Sequence, residues 1–89
     1  MPRVIATHGV GNMDVWLAGG EERARIFGQF SNAYRIYRHP TENQVAIVWE
    51  NADIQKLQAV LMDPETEKAK SRHTVLEPVA LYLEVEGGR

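Results

Sequence analysis

Gln44-Val45-Ala46-Ile47-Val48-Trp49-Glu50 is the stretch whose reading decides the fold. Val45, Ile47 and Val48 are β-branched and Trp49 is aromatic, so the segment reads as a strand. Side chains alternate along a strand, which puts Val45, Ile47 and Trp49 on one face and Ala46 and Val48 on the other. Both sets are apolar. A strand apolar on both faces is covered on both, and a chain of 89 residues has little material to provide both covers. One cover is therefore expected from another molecule.

Working outward, Pro40-Thr41-Glu42-Asn43 is a hairpin loop. It makes Asn32–His39 an antiparallel neighbour of the central strand. That neighbour alternates Tyr34, Ile36 and Arg38 with Arg35, Tyr37 and His39, a polar pattern that suits a sheet edge or a wet ligand face. Arg3–Val10 reads as the first strand, with Val4, Ala6, His8 and Val10 on one face. Gly11-Asn12 marks a turn, and Asp14 is expected to cap a short helix over Val15–Ala18. Gly19-Gly20 predicts a break. Glu21-Glu22 suits the positive end of a helix running to Phe30. Ala24, Phe27 and Phe30 form its apolar stripe, while Arg23, Arg25 and Gln29 are expected to face water.

Beyond the central strand, Asn51 or Asp53 caps a helix with Ile54, Leu57, Gln58 and Leu61 on one side and Val60 beside them. Asp63-Pro64-Glu65 restarts the chain as a helix, because proline is tolerated at the first helical position. Thr66–Arg72 has only Ala69 to bury. His73–Pro78 reads as a connector, Val79–Val85 as a last strand with an apolar face, and Glu86–Arg89 as a frayed tail.

The whole length, 1–89, fits a single domain. Such a short domain buries only about 60–65% of its unfolded surface and gains from pairing. Net charge is −2, which gives no electrostatic reason to expect nucleic acid or an anionic membrane. Cysteine is absent, so disulfides and thiol chemistry are excluded. The N-terminus lacks a signal-peptide core, and no apolar run approaches the roughly 20 residues that span a bilayer. A cytoplasmic location is expected.

The order strand–helix–strand–strand–helix–strand is the ferredoxin-like βαββαβ arrangement: an α+β fold with a four-stranded antiparallel sheet and two helices on one face. Its first and third strands pair at the centre. The helix-free face still carries apolar side chains, and a monomer rarely exposes a patch of that size. A twofold homodimer joined through the sheet faces is expected.

This order resembles the dimeric α+β barrel superfamily. The resemblance is carried by His8 on the first strand, Asp14-Val-Trp-Leu opening the first helix, and Val48-Trp49-Glu50…Leu57…Leu61…Asp63-Pro64-Glu65 further on. It is nearest to the antibiotic-biosynthesis-monooxygenase-like proteins and small cyclase-like relatives. That family includes cofactor-independent quinol or polyketide monooxygenases, polyketide cyclases, lactone isomerases, haem degraders and proteins of no known activity. Its members bind a flat ligand between sheet and helices. The haem-degrading pattern needs a tryptophan and a histidine on the second helix, where this chain has Gln58 and Lys68, so that activity is set aside.

The resemblance implies a small enzyme of monooxygenase or cyclase/isomerase type, without a cofactor, acting on a flat aromatic or polyketide-like molecule. His8 is the candidate general base, since an imidazole titrates near neutral pH. The competing reading is a core histidine bonded at a strand end. Tyr34 is the candidate donor to a developing oxyanion. Trp16 and Trp49 are candidate walls for a planar ligand, with Phe27 and His73 beside them. His73 reads equally as a cation closing a helix C-terminus. The three histidines lack metal-ligand spacing, so no metal is expected. The alternative is a non-catalytic homodimer that binds a small apolar ligand or a protein.

Overall fold

The computed structural model describes residues 2–85 and 87. Four strands form one antiparallel sheet: β1 (Val4–Val10), β2 (Ala33–Arg38), β3 (Gln44–Glu50) and β4 (Val75–Leu83). Their order is β2-β3-β1-β4, so β1 and β3 do lie at the centre. The fold is the expected ferredoxin-like α+β arrangement. Each helical connection is broken in two: α1 (Met13–Ala18) and α2 (Gly20–Phe27) after β1, α3 (Ile54–Met62) and α4 (Pro64–Arg72) after β3.

Register settles which face of β3 is inside. Val4 pairs with Trp49, Ala6 with Ile47 and His8 with Val45, and all six side chains are buried under the helices. Ile5 pairs with Val48 and Thr7 with Ala46 on the helix-free face. Two central strands thus present one solid apolar face to α1–α4, and Trp16 and Leu57 close over it, each at most 1% exposed.

The caps follow side-chain chemistry. Asp53 accepts from the Lys56 N–H and Asp63 from the Glu65 N–H, each satisfying an orphan donor of a first turn. For α1 the cap is Asn12, whose side chain accepts from the Val15 N–H at 3.1 Å. Asp14, expected to be the cap, instead lies in the first turn. Gly19 ends α1 and precedes α2, so the expected break is present.

Three further expectations are corrected. Arg23 is buried, whereas Ala24 is exposed. Gln58 faces outward, and α3 buries Leu57 and Val60. β4 starts at Val75 rather than Val79, so most of the expected connector is strand. Pro78 lies within it, which an edge strand tolerates because its N–H need not join a ladder. Opposite Pro78, pairing with β1 shifts register between Thr7 and Gly9, and His8 occupies that irregularity. The tail expectation at Glu86, Gly88 and Arg89 lies outside the described residues. Among the described residues, no helix is long and apolar enough to cross a membrane.

Candidate functional site

A cavity of about 70 Å³ lies between the sheet and the helices. His8 contributes from β1, Trp49 from β3, Trp16 from α1, Arg23 and Phe27 from α2, and Lys70 and His73 from the end of α4. His8, Trp16, Trp49, Phe27 and His73 therefore come together at one place.

His8 stands on the inward face of β1 because it shares the alternation of Val4 and Ala6. Its Nδ1 lies 2.7 Å from the Gly9 carbonyl oxygen. A carbonyl only accepts, so Nδ1 carries the proton and Nε2 keeps its lone pair. Burial pushes the imidazole below its ordinary pKa, against the pull of the Gly9 bond, and the Arg23 and Lys70 charges lower it further. His8 is thus neutral at neutral pH, with a basic nitrogen. Its ring meets Trp16 edge-on at 5.9 Å between centroids.

Trp49 sits among aromatics, with Phe27 and Phe30 each edge-on to it at about 5 Å. Tyr34 is not brought to the cavity. It lies opposite Trp49 on β2, its ring edge-on to Phe27 at 5.0 Å. His8 pairs with Val45, and Val45 with Arg38, four residues along β2 from Tyr34. Two strand spacings and four residues of rise separate Tyr34 from His8 by roughly 16 Å.

Arg23 enters in its place. As a charged helical residue it is expected to face water. It is 6% exposed, its Nη1 donates to the Trp16 carbonyl, and its guanidinium lies 3.7 Å over the Trp16 ring. The signal was present in the spacing: Arg23 stands seven residues after Trp16 and four before Phe27, which is the buried stripe.

His73 caps the C-terminus of α4, but it is not the expected helix-end cation. Burial, and next the Arg23 charge, push its imidazole below the ordinary pKa. Its Nε2 lies 2.8 Å from Glu22 Oε1, and its Nδ1 makes a long 3.5 Å contact with Arg23 Nη1. The neutral tautomer with the proton on Nε2 satisfies both contacts. Glu22 also accepts from Arg72 at 2.7 Å, which holds its carboxyl below the usual range. Lys70 is bonded to Glu77 at 2.5 Å and Glu67 at 3.1 Å. Burial opposes its charge, and the bonds to the two carboxylates outweigh that and raise its pKa. Among the described residues, no three carboxylate or histidine side chains gather as a metal site would require.

No protein-family model matches the sequence, and no curated protein matches it. Solved structures do match in fold. An uncharacterized NIPSNAP domain protein from Burkholderia xenovorans superposes with a TM-score of 0.71 at 18% identity, over 98% of this chain and 95% of that one. An antibiotic biosynthesis monooxygenase gives 0.67 at 15% identity, over 96% and 97%. SnoaB, a cofactor-independent oxygenase from Streptomyces nogalater, gives 0.64 at 12% identity, over 96% and 92%. These structures share the fold of this chain, the ferredoxin-like α+β arrangement that the resemblance also implied.

Proposed function

We propose that this chain is a small cofactor-independent enzyme that takes a proton from a flat aromatic or polyketide-like molecule held between sheet and helices. The observation that carries this is the state of His8: neutral, fixed by Gly9, with Nε2 left as acceptor beside a cavity walled by Trp16. Nε2 forms a bond to the proton of a ring hydroxyl or acidic C–H. The electron pair left behind stays on the substrate, which then rearranges or passes an electron to oxygen. The fold shared with a cofactor-independent oxygenase supports this reaction class and does not choose within it.

The test is deuterium exchange and oxygen uptake with a panel of phenols and quinols, comparing wild type with His8→Ala. Loss of both activities in the variant is expected. Equal turnover by the two proteins removes His8 from the chemistry.

The second reading, a non-catalytic binder, is favoured by one observation. At about 70 Å³ the cavity is far below the roughly 300–1,000 Å³ of ligand pockets. A polycyclic ring needs more space than this, and Glu22 ties α2 to the end of α4 through Arg72 and His73. A binder predicts saturable ligand uptake with no exchange in the wild type.

In either case the working form is a homodimer. On the helix-free face Tyr82, Ile5 and Val48 lie side by side across β4, β1 and β3. Tyr82 is 58% and Ile5 38% exposed, with Leu76 at 51% further along β4. A contiguous apolar strip of this kind supports burial against a second copy.

A further inference from the structure

The cavity lining contains two cationic side chains, Arg23 and Lys70, and no carboxylate. Lys70 is matched by Glu67 and Glu77. Arg23 is not: among the described residues it forms no ion pair, and its neighbour Glu22 is engaged by Arg72 and His73. A buried charge without a counter-charge is costly, so a partner of opposite sign is strongly favoured there. Arg23 also keeps a fully buried donor unused. Its Nε has no acceptor, and the same is true of the indole nitrogens of Trp16 and Trp49. All three residues are more than nine-tenths buried, and all three line this one cavity. Buried donors are nearly always paired. Three unpaired donors, on residues that line one mainly apolar space, are what a ligand rich in acceptor oxygen would satisfy once it opened a path to them.

We propose that Arg23, with the indole N–H groups of Trp16 and Trp49, makes this cavity a site for an anionic oxygen, the carboxylate, phenolate or enolate of a small planar acid. The inference rests on the reading of this cavity as the substrate site, and not on His8 being the base. If His8 is the base, the two fit together. The proton goes to Nε2, and the electron pair it leaves moves onto the substrate oxygen facing Arg23. The charge that develops then meets a fixed cation rather than water. A neutral ligand of the same shape leaves Arg23 unmatched and binds more weakly.

Benzoate and benzamide are matched probes, one ring each, alike in shape and different in charge. The protein has two tryptophans, so its indole N–H signals in a nitrogen-15 correlation spectrum are readily assigned, and the Arg23 Nε–H is followed beside them. Benzoate is expected to bind at least about tenfold more tightly than benzamide and to shift all three signals saturably. Arg23→Gln is expected to reduce that preference to less than about twofold, and Arg23→Lys to retain most of it. Should the glutamine variant fail to fold, Trp49→Phe reads the same site, with benzoate binding weakened more than benzamide binding, because a bond to a charged acceptor is the stronger one.

Equal affinity for the two probes, no saturable shift with benzoate, or a preference that survives Arg23→Gln overturns the proposal. Loss of exchange in His8→Ala with benzoate preference intact supports both readings. Intact preference with His8→Ala fully active retires the base and leaves the anion site standing.

Discussion

The imidazole of His73 fills the space where a side chain on Gly19 would be. A Cβ placed on Gly19 would lie 2.5 Å from His73 Nε2 and 2.7 Å from its Cδ2 and Cε1. The ring cannot swing aside cheaply, because it is buried and its Nε2 is bonded to Glu22. The glycine at the α1–α2 break thus lets the end of α4 dock. Gly19→Ala is expected to destabilise by about 1–3 kcal/mol, the usual cost of overpacking, or several degrees in Tm for a domain of this size. In a His73→Ala background the same substitution should cost little, since the overlap is gone. A thermal double-mutant cycle measures the coupling, and additive effects contradict it.

The two buried histidines set a pH dependence of stability. Burial lowers the pKa of His8 and of His73 in the folded chain. In the unfolded chain both titrate around pH 6.5. Between the unfolded and folded values the unfolded state binds more protons, so stability rises with pH there. It is fully present above about pH 6.5 and is lost as pH falls toward the folded values. Tm is expected to drop between pH 7.5 and pH 5, before most carboxylates titrate. His8→Gln should flatten part of that slope. A Tm that is flat or higher at pH 5 would contradict the assignment.

What was legible in the sequence is what local chemistry decides. β3 was readable because β-branched residues crowd it, and α4 because Asp63-Pro64 is a start signal whatever surrounds it. Which face of β3 turns inward was not readable, since both are apolar and only the pairing of Ile47 with Ala6 decides. The start of β4 is hidden because Pro78 argues against a strand until its edge position is known. Charge dominates locally at Arg23 and points it to water. Its burial depends on the Trp16 ring and carbonyl and on His73, fifty residues away in sequence. Residue type alone offers Tyr34 as a partner for His8, and only the register shows that they stand on different strands, Tyr34 opposite Trp49 and His8 opposite Val45.

The cap of α1 is a compact test of the same point. Asn12 accepts from the Val15 N–H through its side chain, and its own N–H donates to Thr74 Oγ1 at 3.0 Å. Asn12→Ala is expected to cost about 1 kcal/mol. Asp14 touches only the dipole of a short helix, so Asp14→Asn should cost at most a few tenths. Urea unfolding of the two variants orders them. A larger loss at Asp14 would restore it as the cap.

The helix-free face carries the largest expected effect. Val48 is half-buried at its centre, beside Ile5. In a monomer Val48→Glu places a charge on a face already open to water, so the fold should persist. In a twofold dimer the same substitution is met twice, and each copy loses roughly 1.5–3 kcal/mol of apolar burial before any cost of desolvating the carboxylate. At about 1.4 kcal/mol per decade, the dissociation constant should rise by at least about a hundredfold. Sedimentation velocity at micromolar concentration should show a dimer for the wild type and a folded monomer for Val48→Glu. A wild type already monomeric under those conditions would leave Tyr82, Ile5 and Val48 in water, and the case for pairing through the sheets would be lost.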